Sequence, residues 1–196
     1  MNSKTSICNL ALAYLGQPPI SSLQQDNAQA RWLALFYEPV REEVLRAHDW
    51  AFATADRALV PAALDIQAGG ERIYQYPADA LFIRKVYAAG DPSKTPQPFH
   101  QRFEANLHTR VLVAPISQAR VRYTRRITDE TLYDACFVKC FALALACDCA
   151  LALTGDVEVA ARVQQQYMLY LEEARRANMT ELLERAPQAD GFSEVR

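Results

Sequence analysis

The sequence is poor in histidine and lacks the short motifs that mark common catalytic sites. It has 3 histidines among 196 residues, and His48, His100 and His108 lie in different predicted elements. No GxSxG, P-loop, dinucleotide-binding or HExxH pattern is present. We therefore expect a protein that is not an enzyme, with no catalytic, cofactor-binding or metal-binding residues and no cofactor.

One acidic residue keeps a weak enzymatic alternative open. Asp148 stands in an otherwise apolar stretch, where it is a perturbed acid, a polar edge position or a hydrogen-bonding partner of another subunit. Two carboxylates can form a glycosidase pair, but the sequence does not place any two at the required separation. A polysaccharide hydrolase is thus a weak alternative.

The chain also lacks the continuous apolar stretch of a signal peptide, because the apolar residues at its start are helically spaced. The longest apolar run, residues 135–155, approaches the length of a membrane span but contains Lys139 and Asp148. We expect a buried helix there and no membrane contact.

Cysteine usage argues against a disulfide framework. The five cysteines are an odd number, and four lie in that same helical run, so we expect free thiols in a reducing compartment. Cys136, Cys140 and Cys147 share one helical stripe but extend over three turns, which is too far apart to bind one ion unaided. We interpret them as small buried apolar residues.

Apolar residues at a spacing of 3.6 predict four helices. They cover about residues 3–15, 26–52, 131–153 and 156–185. Asp26 is the predicted N-cap of the second helix, and Pro39 predicts a kink or break near Phe36. Thr154-Gly155-Asp156 is predicted to end the third helix and cap the fourth.

Between the second and third helices the spacing of the apolar residues changes from 3.6 towards two residues, which predicts strands. The candidates are Leu81–Tyr87, Phe99–Phe103, Arg110–Ala114 and Ala119–Ile127. The predicted fold is α+β, mainly an α-helical bundle of about four helices with an inserted small antiparallel β region. Residues 1–59 and 131–185 form the two parts of the bundle, 60–130 the β insertion and 186–196 a flexible C-terminal tail.

Charge is divided unevenly along the chain. Residues 72–126 contain ten basic and three acidic residues and thus have a net charge of +7. The remainder of the chain has a net charge of −9. Around Val121 and Tyr123, basic residues alternate with apolar ones, so one strand face is predicted to be basic. That face is either simply solvated or contacts nucleic acid or an acidic partner. The candidate interface residues are Arg120, Arg122, Arg125 and Arg126, with Pro187, Phe192 and Arg196 in the tail.

Several short segments resemble the tail tubular protein A family of short-tailed phages. They are ICNLALAYLG at residues 7–16, Phe36-Tyr37 followed by Val40-Arg41 and Val44-Leu45, HDWAFA at 48–53, YQYPADAL at 74–81, Val121-Arg122-Tyr123 followed by Ile127-Thr128-Asp129, and the Ala/Leu-rich run 141–153. Together they cover nearly the whole chain.

The resemblance implies a structural virion protein: a head-to-tail adaptor, or gatekeeper, that forms an oligomeric ring expected to be dodecameric. The ring would bind the portal protein and a nozzle similar to tail tubular protein B, with the helical bundle towards the portal. Genomic DNA would pass through this connector during ejection without sequence recognition. The expected location is the virion tail, after assembly in the host cytoplasm. A nucleic-acid-binding module with a basic β face is the alternative.

Overall fold

The computed structural model of the chain describes residues 2–62 and 70–184. It is an α+β fold with four helices and two small antiparallel sheets, about 48% helix and 22% strand, which confirms the predicted fold class. The predicted tail, residues 186–196, lies outside the described residues.

The helices are α1 (Lys4–Tyr14), α2 (Ala28–Ala47), α3 (Ala135–Thr154) and α4 (Val157–Glu184). The strands are β1 (Thr54–Ala58), β2 (Arg72–Gln75), β3 (Ala80–Ala88), β4 (His100–Glu104), β5 (Thr109–Ala114) and β6 (Ala119–Arg125). Two compact units divide the chain, one up to Val40 together with the residues from Tyr133 onward, the other Arg41–Leu132. The division between the units falls within α2, because the end of this helix bonds the strands: Glu42 pairs with Arg126, and Arg84 donates to the carbonyls of Leu45 and Arg46.

The helical unit is organised around α3. Ten residues of α3 are buried, and α1 and α4 both pack against this helix. The ring of Tyr37 on α2 meets that of Phe141 on α3 edge-on, 4.9 Å between centroids. With a mean hydropathy of 2.0, α3 is long and apolar enough to cross a membrane, but core helices pass the same test, and 56% of its apolar window is buried.

Local capping explains where these helices begin and end. The hydroxyl of Ser3 accepts the backbone N–H of Ser6 at the start of α1. Gly155 ends α3 with φ 64°, a left-handed conformation that favours glycine. The carboxylate of Asp156 accepts the N–H of Glu158 at 2.8 Å, so the predicted junction between the last two helices is confirmed.

The structure corrects three details of the helix predictions. The cap of α2 is Asn27, not Asp26, because its Oδ1 accepts the N–H of Ala30 at 2.7 Å. Of the predicted kink or break at Pro39, the break is absent, since α2 continues through Pro39. Pro39 deprives the Leu35 carbonyl of its helical donor, but both residues are exposed, so water can bond that carbonyl. The third helix begins at Ala135, later than predicted, because Asp134 caps it.

The predicted antiparallel β region consists of two three-stranded sheets. The first has the order β1-β6-β3 and the second β2-β5-β4, both antiparallel. One core is shared between them: Ile83, Val121 and Tyr123 from the first sheet pack with Tyr74 and Leu112 from the second. The four predicted strands are confirmed as β3 to β6, and β1 and β2 were missed.

Candidate functional site

The central strand β6 carries the predicted basic face, and its alternation is confirmed. Val121 and Tyr123 are buried, whereas Arg120 and Arg122 are partly exposed. Thr124 departs from the prediction: it lies on the basic face but is fully buried, and its hydroxyl accepts the Nε–H of Arg84 at 2.9 Å.

Arg120 belongs to a charged cluster around Asp56 of β1. Its Nε and Nη2 lie 3.0 and 2.9 Å from Asp56 Oδ1. The hydroxyl of Tyr87 donates to the other carboxylate oxygen, and Lys94 Nζ lies 3.4 Å from that same oxygen. Burial alone would raise the pKa of Asp56, but the hydrogen bonds from Tyr87, Arg120 and Lys94 together lower it.

The other three candidate arginines also face carboxylates. Arg122 Nη2 is 3.2 Å from Asp49, Arg125 Nε is 3.0 Å from Asp79, and Arg126 Nε is 2.6 Å from Glu42. The predicted basic face is therefore largely neutralised within its own unit. A surface whose cations are already paired attracts a polyanion less strongly than its sequence suggests.

Counting charge by the structural units gives the same result. Residues 41–132 contain 13 basic and 11 acidic residues, a net charge of +2. The helical unit has the other 8 basic and 12 acidic residues, a net charge of −4. The contrast of +7 against −9 expected from residues 72–126 shrinks because the structural unit is longer than that window and adds eight acidic but only three basic residues. Three of the added acids, Glu42, Asp49 and Asp56, pair with arginines of the window.

Three cations of the β unit contact an aromatic ring and have no carboxylate partner among the described residues: Arg46, Lys85 and Arg110. The guanidinium carbon of Arg46 lies 5.4 Å from the centroid of Phe82, Lys85 Nζ lies 5.6 Å from that of Tyr87, and the guanidinium carbon of Arg110 lies 4.8 Å from that of Tyr76. Arg84 also stacks on Phe82, at 4.7 Å, but it lies 4.0 Å from Asp49.

The helical unit presents an exposed apolar surface on α2, which we call the α2 patch: Arg31, Trp32 and Leu35. The side chains of Trp32 and Leu35 are 38% and 60% exposed. Trp32 stacks on Phe36 with ring centroids 5.9 Å apart, which holds the indole in place. A groove of about 340 Å³ is lined by the patch and Ala28.

A second exposed surface lies on α4, and we call it the α4 patch: Met168, Leu169 and Glu172. Met168 and Leu169 are 53% and 67% exposed, while the buried stripe of the same helix contains Val163, Tyr167, Leu171 and Ala174. Beside Leu169 a groove of about 280 Å³ leads to Lys139, whose Nζ lies 3.9 Å from the centroid of Tyr170.

Sequence reasoning missed both patches. The available signal was periodicity, since Leu35 lies two residues after the buried Leu33 and thus about 200° around the helix. The buried stripes predict the core, whereas a large apolar residue on the opposite face of the helix indicates an exposed surface. Isolated exposed apolar residues are common, but grouped ones indicate interaction surfaces.

Three of the five cysteines behave as packed apolar residues, and the prediction that Cys136 and Cys147 are buried is wrong. Burial raises the pKa of the Cys8, Cys140 and Cys149 thiols to about 12 each. Cys136 and Cys147 are partly exposed. Within residues 2–62 and 70–184, no group of three or more His, Cys, Asp or Glu residues could hold a metal ion.

The remaining candidate residues are Asp148 and the three residues of the predicted tail. Burial raises the pKa of Asp148, yet its position on α3 is an exposed one. Pro187, Phe192 and Arg196 lie outside the described residues. No protein-family model matches the chain, and no curated protein sequence matches it.

Proposed function

We propose that this chain is a structural protein of a short-tailed phage or prophage tail, a ring-forming adaptor between the portal and the tail nozzle. The observation that carries the proposal is the presence of two different exposed apolar patches on one helical unit, on α2 and on α4. A closed ring needs a heterologous contact, in which each copy offers one surface to one neighbour and a different surface to the next. Two unlike patches meet that need.

The residues that carry the family resemblance support the proposal through their structural roles. Trp50 is buried, and its indole N–H donates to the carbonyl of Val44 at 2.8 Å. Asp79 accepts the hydroxyl of Tyr123 at 2.9 Å and the Nε–H of Arg125. Side chains that hold strands and turns together are the kind that a family with a shared fold retains, even where binding surfaces differ.

In the proposed assembly many weak contacts act together. Portal subunits, already arranged in a ring, would template the adaptor copies, so that each modest copy-to-copy contact becomes effectively intramolecular. The nozzle would then bind below, and genomic DNA would pass through the centre without sequence recognition. Because carboxylates neutralise the β6 arginines, the adaptor role is favoured over that of a nucleic-acid-binding module.

The test is light scattering and negative-stain electron microscopy of the chain, alone and co-expressed with a portal protein from the same phage or prophage. We expect a high-mass, ring-shaped complex only when the portal is present. A chain whose mass is unaffected by the portal would refute the adaptor role. Duplex-DNA affinity that falls steeply with salt would instead indicate the nucleic-acid-binding alternative.

A further inference from the structure

We propose that the α2 patch of one copy binds the α4 patch of the next copy as an antiparallel helix pair. This inference rests on the proposed ring and names the surfaces that close it. The occupant of each patch is a second copy of this chain, because the two patches are complementary in spacing, in charge and in hydrogen bonding.

The spacing of the two patches is the same. Arg31, Trp32 and Leu35 occupy positions i, i+1 and i+4 of α2, and Met168, Leu169 and Glu172 occupy i, i+1 and i+4 of α4. At 100° per residue each set covers an arc of about 100°, and at 1.5 Å per residue each extends about 6 Å along its axis. Side by side, the two sets match in width and length.

Running the two helices antiparallel brings opposite charges together. Arg31 then faces Glu172 at one end, Leu35 faces Met168 at the other, and Trp32 packs beside Leu169. Arg31 has no carboxylate partner among the described residues, and it bonds only the carbonyl of Asn27, at 3.4 Å. Glu172 pairs with Arg175 on its own helix, yet its side chain is still more than half exposed. A parallel arrangement would oppose Arg31 to Met168 and leave Glu172 against Leu35.

Backbone chemistry adds a third complementary feature. The Leu35 carbonyl lacks its usual i+4 donor, because Pro39 has no N–H to donate. In the antiparallel arrangement this carbonyl lies opposite the turn of α4 before Met168, where Gln165 is exposed. The amide of Gln165 can therefore supply a donor where the helix has lost one.

The patch composition fits an energetically important contact. Trp and Arg are enriched among the residues whose truncation weakens interfaces most, and charged residues at the edge select the partner and its orientation. Trp32 is already ordered by its stack on Phe36, so little side-chain freedom is lost on binding.

The test is crosslinking of the full-length chain with a photoreactive phenylalanine analogue at position 35, read by mass spectrometry. It is carried out on the concentrated isolated chain and on the portal complex. We expect crosslinks to residues 165–172 of a second copy. Crosslinks that map elsewhere, or none in either preparation, would overturn the inference. If the wild-type chain does not bind the portal, the adaptor role is refuted. The crosslinks formed by the concentrated isolated chain then test the α2–α4 contact by themselves.

Variants distinguish this contact from non-specific hydrophobic association. Leu35→Asp and Leu169→Asp should each weaken self-association by about tenfold or more, measured by sedimentation velocity on both the concentrated chain and the portal complex. Phe103→Asp is the matched control: it removes a 68% exposed apolar side chain on β4, outside both patches, and should have no effect. Equal losses in all three variants would contradict the inference.

A charge exchange tests the antiparallel register. Arg31→Glu should weaken self-association several-fold by opposing two carboxylates, and adding Glu172→Arg should restore most of it. Failure of the double variant to recover, while the circular dichroism spectra of both variants match wild type, would show that Arg31 and Glu172 do not face each other.

Discussion

Arg84 should be the most important charged side chain for the stability of the β unit. Its guanidinium donates to the carbonyls of Leu45 and Arg46 at 3.3 and 3.0 Å, and also to that of His48, all at the end of α2. Its Nε bonds the buried hydroxyl of Thr124. One cation on β3 thus caps the negative end of a helix dipole and bonds the central strand.

Replacing Arg84 by Met retains the aliphatic stem and removes the guanidinium. A hydrogen bond to a charged group contributes about 1.5–3 kcal/mol, with values that do not add. The helix-end carbonyls can recover water, but the Thr124 hydroxyl is buried and cannot. We therefore expect Arg84→Met to lower the free energy of unfolding by about 3 kcal/mol, which corresponds to a fall of about 1.5 M in the urea midpoint at a typical slope.

The assay is urea unfolding followed by fluorescence in a Trp32→Phe background, so that the buried Trp50 reports the β unit alone. Arg110→Met is the control, because the Arg110 guanidinium stacks on Tyr76 at 4.8 Å without a carboxylate partner among the described residues. The control should cost less than about 1 kcal/mol. If Arg84→Met costs no more than Arg110→Met, the cap is not a stabilising contact.

Two further outcomes follow from the titratable groups. The folded-state pKa of Asp56 is lowered, so its stabilisation is present above the unfolded value of about 3.9 and is lost as pH falls through the folded value. Asp56→Asn should thus cost about 1–2 kcal/mol at pH 7 and much less near pH 3, measured by urea unfolding; a cost that does not change with pH would contradict this. For the cysteines, Cys136 and Cys147 should react with a thiol reagent at pH 8 in the native protein, and the three buried thiols only after unfolding; four or more rapid thiols would be inconsistent with the packing of α3.

Much of the architecture could be predicted from local sequence. The four helices follow from apolar periodicity and from caps such as Asp156, since helical contacts connect residues three or four apart. Strands β3 to β6 alternate clearly enough to be recognised. β1 could not be recognised, because none of its five residues is fully buried, and its strand character depends on pairing with β6, more than 60 residues later.

The charge pattern shows the same limit. The sequence by itself determined which residues are cationic and that Arg120 and Arg122 share a face opposite Val121 and Tyr123, because strand periodicity is a local property. Only the tertiary structure decided that these cations are neutralised, since the partner of Arg126 lies 84 residues away in sequence. The burial of Leu33 and the exposure of Leu35 show the same limit. Periodicity separates the two faces of α2, but it does not tell which face is covered. Only packing decides that, because the covering contacts join residues that are distant in sequence.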